Sequence, residues 1–100
     1  RNSLKASDLG LGPNVIYVDY AKQILIEDYL AYSLRDIMDG DIVLTDKEKV
    51  ILAQRFAEKL FLMFDMDREN RVTHKFDDFV EHTRIVGRGK DIDVRWIDWG

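Results

Sequence analysis

The stretch from Thr45 to Phe64 constrains this chain more than any other. Thr45-Asp46-Lys47-Glu48 is a helix-start signal: the threonine oxygen can accept an early backbone N–H, and Glu48 can reach back to the cap. Val50, Ala53, Phe56, Ala57, Leu60, Phe61 and Phe64 then recur at helical spacing, leaving Arg55, Glu58 and Lys59 largely outside the stripe. Leu62 and Met63 broaden it. The pattern predicts a helix over about residues 46–64, buried on more than one side.

The remaining segments are placed around that helix. Residues 1–14 mix Ser, Lys, Asp and Gly and end in Gly10-Leu11-Gly12-Pro13-Asn14, which reads as a flexible arm or linker with a terminal turn. Val15 to Val18 is a short strand or the first turn of a helix. From Asp19, a plausible cap, Ile24, Leu25, Tyr29, Tyr32 and Met38 recur at intervals of about three and four, predicting a first helix over 19–37. Asp39-Gly40-Asp41 breaks it. A third helix is expected from Thr73 or His74 to Val86, with Phe76, Phe79, Val80 and Thr83 on one face and His74, Asp78, Glu81 and His82 opposite. Beyond Gly87-Arg88-Gly89-Lys90, Ile92, Val94 and Trp96 alternate with Asp93 and Arg95, a strand pattern that pairs with the Val15 segment or lies across a helix. The expected architecture is mainly α: an arm over 1–14, a small helical domain over 15–90, and a tail over 91–100 that is a short strand or extended and packed on the domain. Phe56, Leu60, Phe61, Phe64, Val72, Phe76, Phe79 and Val80 are expected in its core, joined by Ile24, Leu25, Tyr29 and Tyr32.

Composition narrows the function classes. One hundred residues make one domain or part of one, and a chain opening on Arg1 is expected to be a piece of a larger protein. The absence of cysteine excludes disulfides, a thiol nucleophile and thiolate zinc sites, and fits a reducing, cytoplasmic setting. A formal charge of -4 gives no electrostatic reason to expect nucleic acid or an anionic membrane as partner. No run in the sequence approaches a membrane span.

After the Thr45–Phe64 stripe, Phe61 and Phe64 precede Asp65-Met66-Asp67, Glu69 follows, Val72 is a branched apolar residue, and Phe79 reopens a helical face. Over about residues 50–84 this pattern resembles the EF-hand family. The resemblance implies a helix-loop-helix in which Asp65, Asp67 and Glu69 donate oxygens to Ca2+, Arg71 offers its carbonyl and Val72 anchors the loop. The chain departs from that pattern at the twelfth loop place, which falls on Phe76, and at the glycine place, which holds Asn70. A second register with a longer loop lets Asp78 close the shell. Either register implies weak calcium binding.

Other chemistry is sparser. His74, Asp78 and His82 follow at intervals of four, so neighbouring members can share a metal, although a solvated helix face explains them as well. No Gly-rich phosphate loop with its lysine and hydroxyl is present in the sequence. Trp96 and Trp99 either pin the C-terminal segment onto the domain or anchor it in a partner, and Tyr29 and Tyr32 are further contact candidates. The leading expectation is a noncatalytic protein-interaction or assembly module, contacting a protein partner or other domains of its parent. The alternatives are a weak calcium-responsive sensor and a fragment of an enzyme whose active site is completed elsewhere.

Overall fold

The computed structural model describes residues 2–70 and 78–99. Their order is helix α1 (Asn2–Asp8), strands β1 (Val15–Asp19), β2 (Ile24–Glu27) and β3 (Tyr32–Ser33), helices α2 (Leu34–Met38), α3 (Asp46–Asn70) and α4 (Phe79–His82), strand β4 (Thr83–Val86), a 3-10 turn (Gly89–Asp91) and strand β5 (Asp93–Trp96). The fold is therefore mixed α and β, with one two-stranded and one three-stranded antiparallel sheet, and the mainly α expectation is corrected.

The first correction lies at residues 15–27. Val15, Ile16, Val18, Ile24 and Ile26 are β-branched, and with Tyr17 they suit a pleated surface better than a helix. They form the β1–β2 hairpin, with Tyr17 opposite Ile26 and Asp19 opposite Ile24. Asp19 caps no helix. Its Oδ1 accepts the Lys22 backbone N–H at 3.1 Å and so organises the hairpin turn, which Gln23 completes at φ 56°. Helix is confined to Leu34–Met38 of the expected 19–37 segment.

The second correction is at the third expected helix. Residues 71–77 lie outside the described set, and from Asp78 only Phe79–His82 is helical. Thr83-Arg84-Ile85-Val86 switches to period two, burying Thr83 and Ile85, and becomes the centre of the three-stranded sheet. Ser33 stands opposite Arg84 on one side of it, and Thr83, Ile85 and Val86 stand opposite Trp96, Val94 and Asp93 on the other. The alternation predicted around Val94 is thus a strand, paired with β4 rather than with the Val15 segment. Gly87 makes the connection possible: at φ 69°, any Cβ there would lie 2.5 Å from the Asp91 carbonyl oxygen.

α3 begins as the sequence predicts. The Glu48 carboxylate accepts the Thr45 N–H at 2.9 Å and the Thr45 Oγ1 accepts the Glu48 N–H at 3.1 Å, a reciprocal cap. It packs Leu52, Phe56, Leu60 and Met63 inward, against Ala6, Leu11, Val94, Trp96 and Trp99. A second cluster joins Leu44, Ile85 and Ile92 to Ile37, Ile42, Ile51 and Leu52. Full burial of Leu11, Ile92 and Val94 contributes about 1.5–3 kcal/mol each. Phe56 meets Trp96 and Phe79 edge to face, with ring centroids 5.7 and 6.0 Å apart. Several expected core residues lie outside instead: Phe61 and Phe64 are 73% and 64% exposed, and Ile24, Tyr29 and Tyr32 are exposed as well.

The segment expected as an arm belongs to the core. α1 buries Ala6, the turn after it buries Leu11, and Ser7 Oγ accepts the Val15 N–H at 3.0 Å. Among the described residues, no helix is long and apolar enough to cross a membrane.

Candidate functional site

A polar residue pair stands where β5 ends, Asp98 beside His82. The Trp96 N–H donates to the Leu11 carbonyl at 2.8 Å, and the Ile97 N–H donates to the His82 carbonyl at 3.0 Å. The chain is thereby tied on one side to the α1–β1 connection and on the other to the last residue of α4. Asp98 follows at φ 64°, a left-handed conformation that aspartate tolerates better than most residues. Trp99 then turns inward, 4% exposed, and its Nε1 donates to the Trp96 carbonyl at 2.7 Å. Trp96 and Trp99 are both buried, and the residue between them that projects is Asp98, whose side chain is 61% exposed. Its Oδ2 lies 3.7 Å from Nδ1 of His82. This places a solvent-accessible carboxylate and a mostly buried imidazole side by side on a braced backbone.

Two other polar centres hold the surrounding frame. Glu48 accepts from Arg88 Nε at 2.8 Å and Nη2 at 3.1 Å, from the Gly89 N–H at 2.8 Å, and from its own cap at Thr45. The Arg88 guanidinium, with the Thr45 and Gly89 N–H groups, holds the Glu48 carboxyl far below its usual pKa. Lys59 Nζ donates to Asp93 Oδ2, the Gly10 carbonyl and the Val94 carbonyl at 2.8, 2.7 and 2.8 Å. Burial pushes its pKa down, and the Asp93 carboxylate opposes that shift. Arg35 pairs with Glu81 beside His82 in sequence. The Glu48 and Lys59 contacts fasten α3 to the β4–β5 connection and the start of β5.

The sequence-predicted site residues are distributed differently. Asp65, Asp67 and Glu69 lie in the last turns of α3, which continues to Asn70, so the first half of the expected calcium loop is helical backbone. Its second half, through Phe76, lies outside the described residues. Asp78 is exposed and left-handed (φ 51°) at the start of α4. Among the described residues, no group of three His, Asp or Glu side chains is placed to hold a metal ion. Trp96 and Trp99 are buried and pack with Ala6, Leu11, Met63 and Val94. Tyr29 and Tyr32 are 88% and 56% exposed and remain available for contact. Tyr32 also lines a cleft of about 500 Å³ with Ile42, Val43, Ile85 and Arg88.

The sequence reading missed the Asp98–His82 pair, although the signal was present. Asp98-Trp99-Gly100 follows a strand, and Asp77 stands five residues before His82. No protein-family model, curated protein or solved structure matches this chain.

Proposed function

We propose that this chain carries part of the catalytic floor of a metal- and nucleotide-dependent phosphotransferase whose site is completed by other chain. The observation that carries the reading is Asp98, held outward between two buried indoles at a strand exit, 3.7 Å from His82. Phosphoryl transfer places little covalent work on the protein. It requires a positioned carboxylate for the cation that bridges the phosphates, a second polar ligand nearby, and a base for the attacking hydroxyl. The kinase signature sets these as an aspartate, a ligand five residues later, and an Asp-x-Gly after a strand. In this sequence Asp77, His82 and Asp98-Trp99-Gly100 occupy those spacings, with histidine in the asparagine place and tryptophan in the phenylalanine place. Asp77 would be the base, and it lies outside the described residues.

A metal-bound nucleoside triphosphate would supply the transferable phosphoryl group and its charge neutralisation. The chain's own contribution is to fix Asp98 and His82 from two elements at once. The covering phosphate loop and its lysine are absent from the sequence, so other chain must provide them. The exposed apolar side chains of the β1–β2 hairpin, Ile16, Tyr17, Ile24 and Ile26, support such a cover.

Titration with ATP and a divalent cation, followed by calorimetry, tests the reading. Binding that Asp98→Asn weakens at least about tenfold, with an unchanged near-ultraviolet circular dichroism spectrum, is the expected result. No nucleotide binding at millimolar ATP and cation would overturn it. The same exposed hairpin, with Tyr29, favours a second reading as a noncatalytic assembly module, which predicts partner binding indifferent to Asp98→Asn.

A further inference from the structure

We infer that the cleft between β3, β4 and the α2–α3 connection receives an arginine side chain from a partner polypeptide; the inference goes beyond the nucleotide reading and does not rest on it. The cleft holds about 500 Å³, and Tyr32, Asp41, Ile42, Val43, Ile85 and Arg88 line it. Its walls are braced to one another. The Asp41 and Ile42 N–H groups donate to the Asp36 carbonyl at 2.8 and 3.1 Å, which fixes the α2–α3 connection. Arg88 Nη2 donates to the Val43 carbonyl at 3.1 Å and ties that connection to the β4–β5 turn. Ile85, in the central strand, is buried, whereas Val43 and Tyr32 are 78% and 56% exposed. The cleft thus opens to solvent over apolar surface. A pocket of this size, formed before its guest arrives, loses little in accepting one.

Charge selects the guest. Arg88 has its Nε and Nη2 on the Glu48 carboxylate at 2.8 and 3.1 Å, which balances its charge. Asp41 is exposed, and its carboxylate makes no hydrogen bond or ion pair among the described residues. One negative charge in the lining is left over, and a guest cation neutralises it. An incoming anion would instead meet Asp41 and a guanidinium already engaged. Apolar walls with one carboxylate and one phenol ring suit a side chain that is apolar along its stem and cationic at its tip. Arginine fits better than lysine, because its planar guanidinium can hold a carboxylate through two N–H groups and stack on an aromatic face. The formal charge of -4 on the whole chain favours the approach of a basic segment.

The probe is an acetylated pentapeptide amide with one central arginine between two leucines and glycine at each end, titrated into the isotope-labelled full chain by NMR. Amide signals of Asp41, Ile42, Val43 and Ile85 should shift. Asp41→Asn should weaken binding about fivefold and Tyr32→Leu about threefold, each with the amide spectrum away from the cleft unchanged. The same peptide with citrulline, equal in shape but neutral, should bind at least about fivefold more weakly than the arginine peptide. Equal binding of the two peptides, full affinity in Asp41→Asn, or no shift at millimolar peptide overturns the inference. Tighter binding of a peptide with glutamate in the central place also overturns it and assigns the cleft to anions through Arg88. All of these outcomes leave the nucleotide reading untouched.

Discussion

Glu48 shows how one side chain can serve two levels of structure. Its position as the third helical residue of a capping box is legible from Thr45-Asp46-Lys47-Glu48. Its second task is not legible, because Arg88 and Gly89 approach from forty positions along the chain. The two tasks make Glu48 a nearly buried carboxylate that must be ionised to accept four N–H donors. A carboxyl whose folded pKa is depressed stabilises the fold above its unfolded pKa, here 4.5, and loses that contribution as pH falls below it. Glu48→Gln should therefore lower stability at pH 7 and flatten the acid limb of a stability–pH profile measured by urea unfolding. An acid limb as steep as that of the parent chain would assign the effect to other carboxyls.

At the scale of elements, α3 and the β1–β2 hairpin teach opposite lessons. The start of α3 and its helical period were readable, but its buried face was not. Apolar residues surround much of the helix, so several faces satisfy the same spacing, and the tertiary partners choose among them. They choose Leu52, Phe56, Leu60 and Met63, leaving Phe61 and Phe64 outside. Met63→Ala should cost about 2–5 kcal/mol in urea melts, while Phe61→Glu should change stability by less than about 0.5 kcal/mol. Equal losses would mean the helix is rotated from the orientation described. Ile24 and Leu25 of the hairpin, with Tyr29 and Tyr32 beyond it, fit a helical interval by coincidence. Strands of four or five residues are too short to reveal their own period, and the pairing that settles them is made across the turn. The same holds for β4, where Thr83 continues the helical spacing of Phe79 and Val80, although it pairs with Trp96 in a strand.

For the whole molecule, the consequential fact is that its first and last described segments share one core. Gly12 is the point of closest approach: a Cβ there would lie 2.7 Å from Trp99 Nε1 and 3.1 Å from Ala6 Cβ. Gly12→Ala should cost about 1–3 kcal/mol by overpacking and, by displacing Trp99, should also loosen the backbone that presents Asp98. Thermal melts and cation–nucleotide titration of the same variant measure the two effects together. A normal melt with normal binding would show that the indole can move aside freely. Ala6 and Leu11, in the segment expected as an arm, share one cluster with Val94, Trp96 and Trp99, in the segment expected as a tail, because sequence spacing carries no record of which distant segments meet.

That shared core has a consequence for synthesis on the ribosome. Leu11 leaves the exit tunnel long before Trp96 exists to receive it. At ordinary elongation rates the delay is on the order of ten seconds. Through that interval Ala6, Leu11 and the inward face of α3 carry uncovered apolar surface, so the nascent polypeptide is a natural client for chaperones until β5 arrives.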